Sequence, residues 1–355
     1  MRKLTVGKND AGQRLDKFLT KAVKGLPTSL LYKDIRTKKI KVNGKRAKEN
    51  QILAVGDEVT LFIRDEFFAS PEGDDNALAR IRPKLCIVYE DENILLLNKR
   101  PGVLVHEDTA GGENTLILHV KAYLYQKGEY DPAAEQSFAP ALCNRIDRNT
   151  GGIVIAAKNA EALRVMNEKI RNNEIGKFYL CAVKGRMPKR ADELRGYLRK
   201  DEKANMVEIR ARPFAGARTI ITRYRVEGEK NGNSLLEVEL VTGRTHQIRA
   251  HMAHIGHPLL GDGKYGVNRG ERGSGYKHQA LYAVRLRFDF TGDSGVLSYL
   301  TGKEFSIDRA DVWFLKDFTG HRQKTRKGGE RYGKTVVYAA EGAPYPPAAH
   351  PAFAL

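Results

Sequence analysis

From Gly12 the chain alternates apolar and basic positions at helical spacing. In "AGQRLDKFLTKAV" Leu15, Phe18, Leu19 and Val23 fall on one face, with Arg14, Lys17, Lys21 and Lys24 on the other. After the break at Gly25-Leu26-Pro27, "TSLLYKDIRTKK" predicts a second short helix capped by Thr28 or Ser29. The period then changes. "IKVNGKRA" predicts a strand and hairpin turned at Asn43-Gly44, and "VGDEVTLFI" a closing strand. These elements make a compact unit over residues 10–64. Residues 65–83 are acidic, hold Pro and Gly and show no period, which predicts a linker.

From Lys84 the pattern is strand-rich. "LCIVYED", "NILLLNK", "GGIVIAAK", "KFYLCAVKG", "TIITRYRVEGE" and "SLLEVELVTG" are strand candidates, interleaved with a helix in "NAEALRVMNEKIRNN". Their irregular order and hairpin-length spacings predict an α+β fold with a mixed, largely antiparallel sheet over residues 84–315. Residues 316–355 are basic and then Ala/Pro-rich, the composition of a loosely attached tail.

Composition narrows the class. The 355 residues are 41% hydrophobic and 29% charged, sufficient for more than one domain with a substantial core. No apolar run approaches the ~18 residues of a membrane span. "MRKLTVGKND" lacks the apolar centre of a secretory signal. Cys86, Cys143 and Cys181 are far apart in apolar contexts, which fits reduced thiols in a cytoplasmic protein better than a disulfide framework. Lys and Arg outnumber Asp and Glu by 61 to 43, a formal charge of +18. Residues 1–64 hold 16 basic and 6 acidic side chains, so a surplus of ten lies in the first sixth of the chain. That is the electrostatic footprint of a polyanion binder, and no amphipathic helix with large aromatics on one face points to a membrane surface.

Three segments carry candidate chemistry: "NRIDRNTGG", "KFYLCAV" and "GRTHQIRAH". Alone, each has an ordinary reading: Asp147 as a turn carboxylate paired with Arg145 or Arg148, Tyr179 as a strand aromatic, Arg249 as a solvated helix arginine. Together they resemble the pseudouridine synthases of the large-subunit rRNA family, the group with an N-terminal S4 domain. That family's His-Arg-Leu-Asp, two residues and Thr-Ser-Gly stands here as Asn144-Arg145-Ile146-Asp147, Arg148-Asn149 and Thr150-Gly151-Gly152. Its Lys-x-Tyr stands as Lys177-Phe178-Tyr179. Its third motif stands as Gly243 to His251, followed by Gly256-His257-Pro258 and Gly261-Asp262. "NKRPGVLVHE" resembles its Lys-Pro-x-Gly element, with Arg100 in the lysine's place. Residues 10–64 resemble the S4 RNA-binding domain.

The resemblance implies an isomerase turning uridine into pseudouridine. Asp147 would act at C1′ of the ribose, Arg249 would keep it ionised, and Tyr179 would lie on the target base. Arg145, Arg244 and His246 would meet RNA around the site, and Arg14, Lys17, Arg36, Lys38 and Lys39 would meet it on the S4 unit. Losing Arg249 would leave a buried unpaired carboxylate, at about 3–5 kcal/mol if the pair is fully desolvated. The partner implied is RNA, 23S rRNA or a pre-ribosomal particle, with tRNA as the alternative, and the expected state is a monomer.

The chemistry agrees with the residues. Breaking N1–C1′ and rejoining the base through C5 loses no atom and changes no oxidation state, so no cofactor is expected. One singled-out carboxylate suits a rearrangement, whereas a glycosidase uses two flanking the bond. The buried glycosidic carbon must leave its stack to react, and the glycines at 151 and 152 are expected to bring backbone close to RNA or to make a tight turn. His246, His251, His254 and His257 include no helical His-x-x-x-His pair and no partner Cys or carboxylate, so no metal is expected. Gly243 and Thr245 predict a strand end and an N-cap, with the helix stopping at Gly256. A non-catalytic RNA-binding or assembly factor is the competing class.

Overall fold

The computed structural model describes residues 1–68, 77–106, 114–266 and 275–318, together with the strand at Val336–Val337. The N-terminal unit is a four-stranded antiparallel sheet in the order β1-β4-β2-β3: β1 (Arg2–Thr5), β2 (Ile40–Val42), β3 (Lys45–Arg46) and β4 (Glu58–Leu61). Two helices pack on it, α1 (Leu15–Ala22) and α2 (Thr28–Arg36). Phe18, Leu19, Leu31, Ile35, Ile40 and Leu61 form its core. The Asn43-Gly44 turn has both residues at positive φ, 51° and 72°, as a two-residue hairpin turn requires.

Three details differ from the sequence reading. The unit begins at β1, whose "RKLT" holds one apolar residue, Leu4, too few for an alternation; the strand is read from its pairing with β4. Pro27, not Thr28 or Ser29, caps α2, and no side chain bonds the cap. Within 65–83, Asp65–Phe68 form a 3-10 turn whose Phe67 and Phe68 pack on the core, and Ala77–Arg80 form the short helix α3.

The rest builds one twelve-stranded sheet: β5 (Cys86–Glu90), β6 (Ile94–Lys99), β7 (Ala141–Leu142), β8 (Gly151–Ala157), β9 (Ile175–Val183), β10 (Ala191–Asp201), β11 (Met206–Arg210), β12 (Arg218–Lys230), β13 (Asn233–Leu240), β14 (Leu281–Phe288), β15 (Glu304–Ser306) and β16 (Val336–Val337). The order is β11-β10-β12-β13-β9-β14-β8-β6-β5-β16, with β15 on β14 and β7 on β8. Among the described residues only β8 and β14 run parallel, so the sheet is mixed and largely antiparallel.

Two cores cover its faces, which is why the central strands read as continuous apolar runs. Tyr179, Cys181 and Val183 point to one core, shared with α4 (Leu116–Gln126) and α6 (Gln247–His254). Leu180 and Ala182 point to the other, shared with α5 (Ala160–Arg171) and the segment through Leu315. Helix α4 escaped the sequence reading because "LILHV" is apolar without a period. Strands β10 and β11 escaped it because they are rich in charge; β11 is an edge strand and β10 lies between it and β12. Phe318 still packs on the second core; of the expected tail, β16 pairs Val336 and Val337 with Ile87 and Cys86, and the remainder lies outside the described residues.

The two units touch. Asp10, 3% exposed, accepts from the Ser137 hydroxyl at 2.6 Å, and Asn9 donates to Glu135 at 2.6 Å. Asn9 also accepts from the Ala160 amide at the start of α5, and Arg164 donates to the Ala11 carbonyl.

Candidate active site

Asp147 opens the turn between β7 and β8, closed by the Thr150 amide on its carbonyl at 3.0 Å. Ile146 is buried in the first core while Arg145 and Arg148 are exposed, so alternation turns the carboxylate away from the core. Asn144, where the family has His, accepts from the Ile155 amide at 2.8 Å and holds the turn against β8. Arg148 ties it to the loop after β6: its carbonyl accepts from the Gly102 amide at 2.8 Å and its Nε donates back to the Gly102 carbonyl at 3.1 Å.

The glycines after the turn have a packing reason. A Cβ on Gly151 would lie 2.3 Å from the Tyr282 ring, and one on Gly152, at φ +119°, would lie 2.2 Å from the Ala283 carbonyl oxygen. These residues are where β8 meets β14 in parallel. Close strand packing is thus reason enough for both glycines.

Helix α6 brings Arg249 to the turn. Its Nη1 donates to Asp147 Oδ2 at 2.6 Å, while Nε and Nη2 form a fork on Asp262 at 2.7 and 2.9 Å. The Asp262 side chain is 0% exposed, and its Oδ1 also accepts from the Lys264 and Tyr265 amides. Burial pushes the Asp262 carboxyl up, but the Arg249 fork outweighs it and holds the group below the usual carboxylate range. The same reckoning holds for Arg249, where burial disfavours the cation but the two carboxylates hold it firmly charged. The Asp147 side chain is 26% exposed. Its Oδ1 has no hydrogen-bond partner among the described residues. Asp262 supplies no second carboxylate of the glycosidase kind, because both its oxygens are consumed behind Arg249.

His246 precedes α6 with a left-handed backbone, φ 54°, a conformation that costs a non-glycine residue energy and clusters at functional sites. Thr245 does not cap the helix. Instead the buried Gln247 accepts from the Arg244 amide and the Thr242 hydroxyl and donates to the Ile221 carbonyl. The His246 Nδ1 meets the Tyr265 hydroxyl at 2.8 Å and Nε2 lies 3.8 Å from Asp147 Oδ2. Burial, opposed by Asp147 and aided by Arg249, pushes this imidazole down to about 4. His251, bonded to Thr222, is likewise held at about 4 by burial, and His257 meets the Lys184 carbonyl.

Tyr179 is 7% exposed on β9, and its hydroxyl has no partner among the described residues. Burial and then the charge of Asp147 raise its pKa, so the phenol stays protonated. Sequence reasoning missed Lys99. It lies at the end of β6, is 1% exposed, and donates to the carbonyls of Val103 and Arg148 at 2.9 Å and of Arg100 at 3.2 Å. Burial, opposed by Asp147, lowers it to about 7. This lysine, rather than Arg100, anchors the loop beside the turn; its signal was a charge closing an otherwise apolar strand. Asp262 was quoted with the third motif but given no role, and Tyr265 was missed, since neither contact leaves a periodic trace.

The structure thus joins Asp147, His246 and Arg249, and sets Tyr179 within reach of the Asp147 charge. Arg145 and Arg244 are exposed beside them. Arg14, Lys17, Arg36, Lys38 and Lys39 lie apart, on the N-terminal unit. Arg14 pairs with Asp16 at 2.7 Å and Lys39 with Asp34 at 3.5 Å, while Lys17, Arg36 and Lys38 are exposed. No helix of the described residues is long and apolar enough to cross a membrane.

Residues 93–254 match the RNA pseudouridylate synthase family and residues 13–59 match the S4 domain. A Salmonella typhimurium protein named ribosomal large subunit pseudouridine synthase C is 33% identical over 310 residues, 83% of this chain and 90% of that protein. The Escherichia coli protein of the same name is 33% identical over 305 residues, 81% and 89% of the two chains. The solved structure of human RNA pseudouridylate synthase domain containing 4 shares the fold at a TM-score of 0.52 and 21% identity, covering 68% of this chain and 94% of that one. With the relatives aligned over most of their own length, the chain belongs to the RNA pseudouridine synthase family and is an isomerase.

Proposed function

We propose that this isomerase converts specific uridines of large-subunit ribosomal RNA to pseudouridine through Asp147. The observation that carries the reading is the asymmetry of that carboxylate: Oδ2 is held by Arg249, itself fixed by Asp262, while Oδ1 has no hydrogen-bond partner among the described residues and the side chain is 26% exposed. A carboxylate oxygen left without a partner can act at C1′ as nucleophile, or as base for a glycal-like route. The names of the relatives supply the RNA class.

In this reading the target uridine leaves its stack, with Arg145 at hand to fill the vacated space. The base packs on Tyr179, whose phenol stays protonated. Asp147 takes C1′ as N1 departs with the bonding pair; the base turns in place, C5 attacks C1′ and displaces Asp147, the C5 proton passes to water and N1 takes up a proton. Arg244 and His246 line the entry, and the basic N-terminal unit, with Arg14, Lys17, Arg36, Lys38 and Lys39, grips phosphates, so affinity falls with salt. The test uses unmodified rRNA transcripts carrying tritium at C5. Release to water by the full chain and not by Asp147→Asn is expected. No release on rRNA, with release on tRNA, would overturn the substrate; none on any RNA despite binding would leave a binding factor.

A further inference from the structure

Three segments enclose a cleft of about 570 Å³ away from Asp147. The β12–β13 turn contributes Lys230 and Asn231, the run into β14 contributes Tyr276, Lys277 and His278, and Trp313 closes the third side. Trp313 packs edge-on against Tyr276 at 5.3 Å, and Tyr276 is fixed by donating to Asp317 at 2.8 Å. Two buried atoms of this wall, His278 Nδ1 and Trp313 Nε1, have no hydrogen-bond partner among the described residues. Buried polar atoms are rarely left so.

Cations, an amide at a tight turn and a partly exposed indole are together the donor set for a nucleotide: phosphate on ammonium, base on an aromatic ring. A bare anion would not need the rings, and an apolar peptide would not need the lysines. The cleft abuts the active-site loop. The His278 ring lies 3.7 Å from where a Gly102 Cβ would stand, and Gly102 is bonded to Arg148, next to Asp147.

We propose that this cleft binds a nucleotide, supplied by the RNA strand that flanks the target uridine, with its base on Trp313 and its phosphate on Lys230 and Lys277. The strand as source rests on the RNA reading above. Trp313 is the only tryptophan of the chain, so its emission reports the cleft directly. Full-length protein would be titrated with a single-stranded pentauridylate, with uridine monophosphate and with inorganic phosphate. Quenching by pentauridylate, weaker for the monophosphate and absent for phosphate, is expected. In Lys230→Ala/Lys277→Ala the salt dependence of log affinity should flatten by about 1.4, two contacts at about 0.7 each on a single strand. No quenching, an unchanged slope, or equal competition by inorganic phosphate would overturn the proposal; a monophosphate binding as well as the pentamer would overturn the strand as source. The same titration of Asp147→Asn keeps its quenching even if no tritium is released, so failure of the cleft and failure of the reaction are told apart.

Discussion

Arg249 stands between two carboxylates of unlike burial, and the two should answer mutation in opposite ways. Arg249→Ala strands Asp262, whose side chain is 0% exposed, with two backbone amides and no cation. Breaking a buried pair in this way costs about 3–5 kcal/mol. For a protein of this size that is on the order of 10 °C in Tm. The carboxylate that suffers is Asp262 rather than the partly exposed Asp147. Asp147→Asn leaves the fork on Asp262 intact and removes one of two negative charges around one positive, so its cost should stay within about 1 kcal/mol. The Arg249→Met/Asp262→Leu pair should recover part of the loss, as apolar replacement of a buried ion pair often does. Urea unfolding followed by circular dichroism, with tritium release in parallel, separates these effects. We predict Asp147→Asn stable and inactive, and Arg249→Ala both unstable and inactive. If Asp147→Asn lost as much stability as Arg249→Ala, Asp147 would be a structural anchor and the catalytic reading would fall.

Acid should weaken the fold before the carboxylates titrate. His246 and His251 are held at about 4 by burial, against about 6.5 for a free imidazole. Between those values the unfolded chain binds protons that the folded chain refuses, so stability falls as pH drops from about 6.5 toward 4. A urea midpoint unchanged from pH 7 to 5 would refute this, and His251→Gln should flatten part of the slope. Gly152→Ala meets both a positive φ and a backbone oxygen at 2.2 Å; about 3 kcal/mol or more should be lost, and a wild-type melt would show that β8 and β14 can part cheaply. Removing residues 1–64 should weaken RNA binding and leave a cooperative melt, since the twelve-stranded sheet takes no strand from them; disappearance of the main transition would show the Asp10–Ser137 contact to be essential.

Helices α1 and α5 and the central strands were legible because a periodic apolar pattern survives wherever one face, or both, is buried. Elements held mainly by partners left little trace: β1 is mostly polar and paired on β4, β10 and β11 are rich in charge, and α4 is apolar without a period. In the site, Asp147, Tyr179 and Arg249 were legible by resemblance to a family. Their supports were not. Lys99 holds three carbonyls from segments up to 49 residues apart, Asp262 reaches back 13 residues to Arg249, and no local spacing encodes either contact.

The adjacent glycines at 151 and 152 also differ in how freely each can vary. What a side chain at 151 would strike is the ring of Tyr282, and a ring can be exchanged for something smaller. What one at 152 would strike is the main chain of Ala283, which every residue possesses. Position 151 is therefore negotiable with position 282: the serine usual in the family can return here only alongside a slimmer partner opposite. That trade also gives up the hydroxyl of Tyr282 on Asn98 at 2.7 Å. Among relatives the two positions should change together, while 152 stays fixed whatever surrounds it.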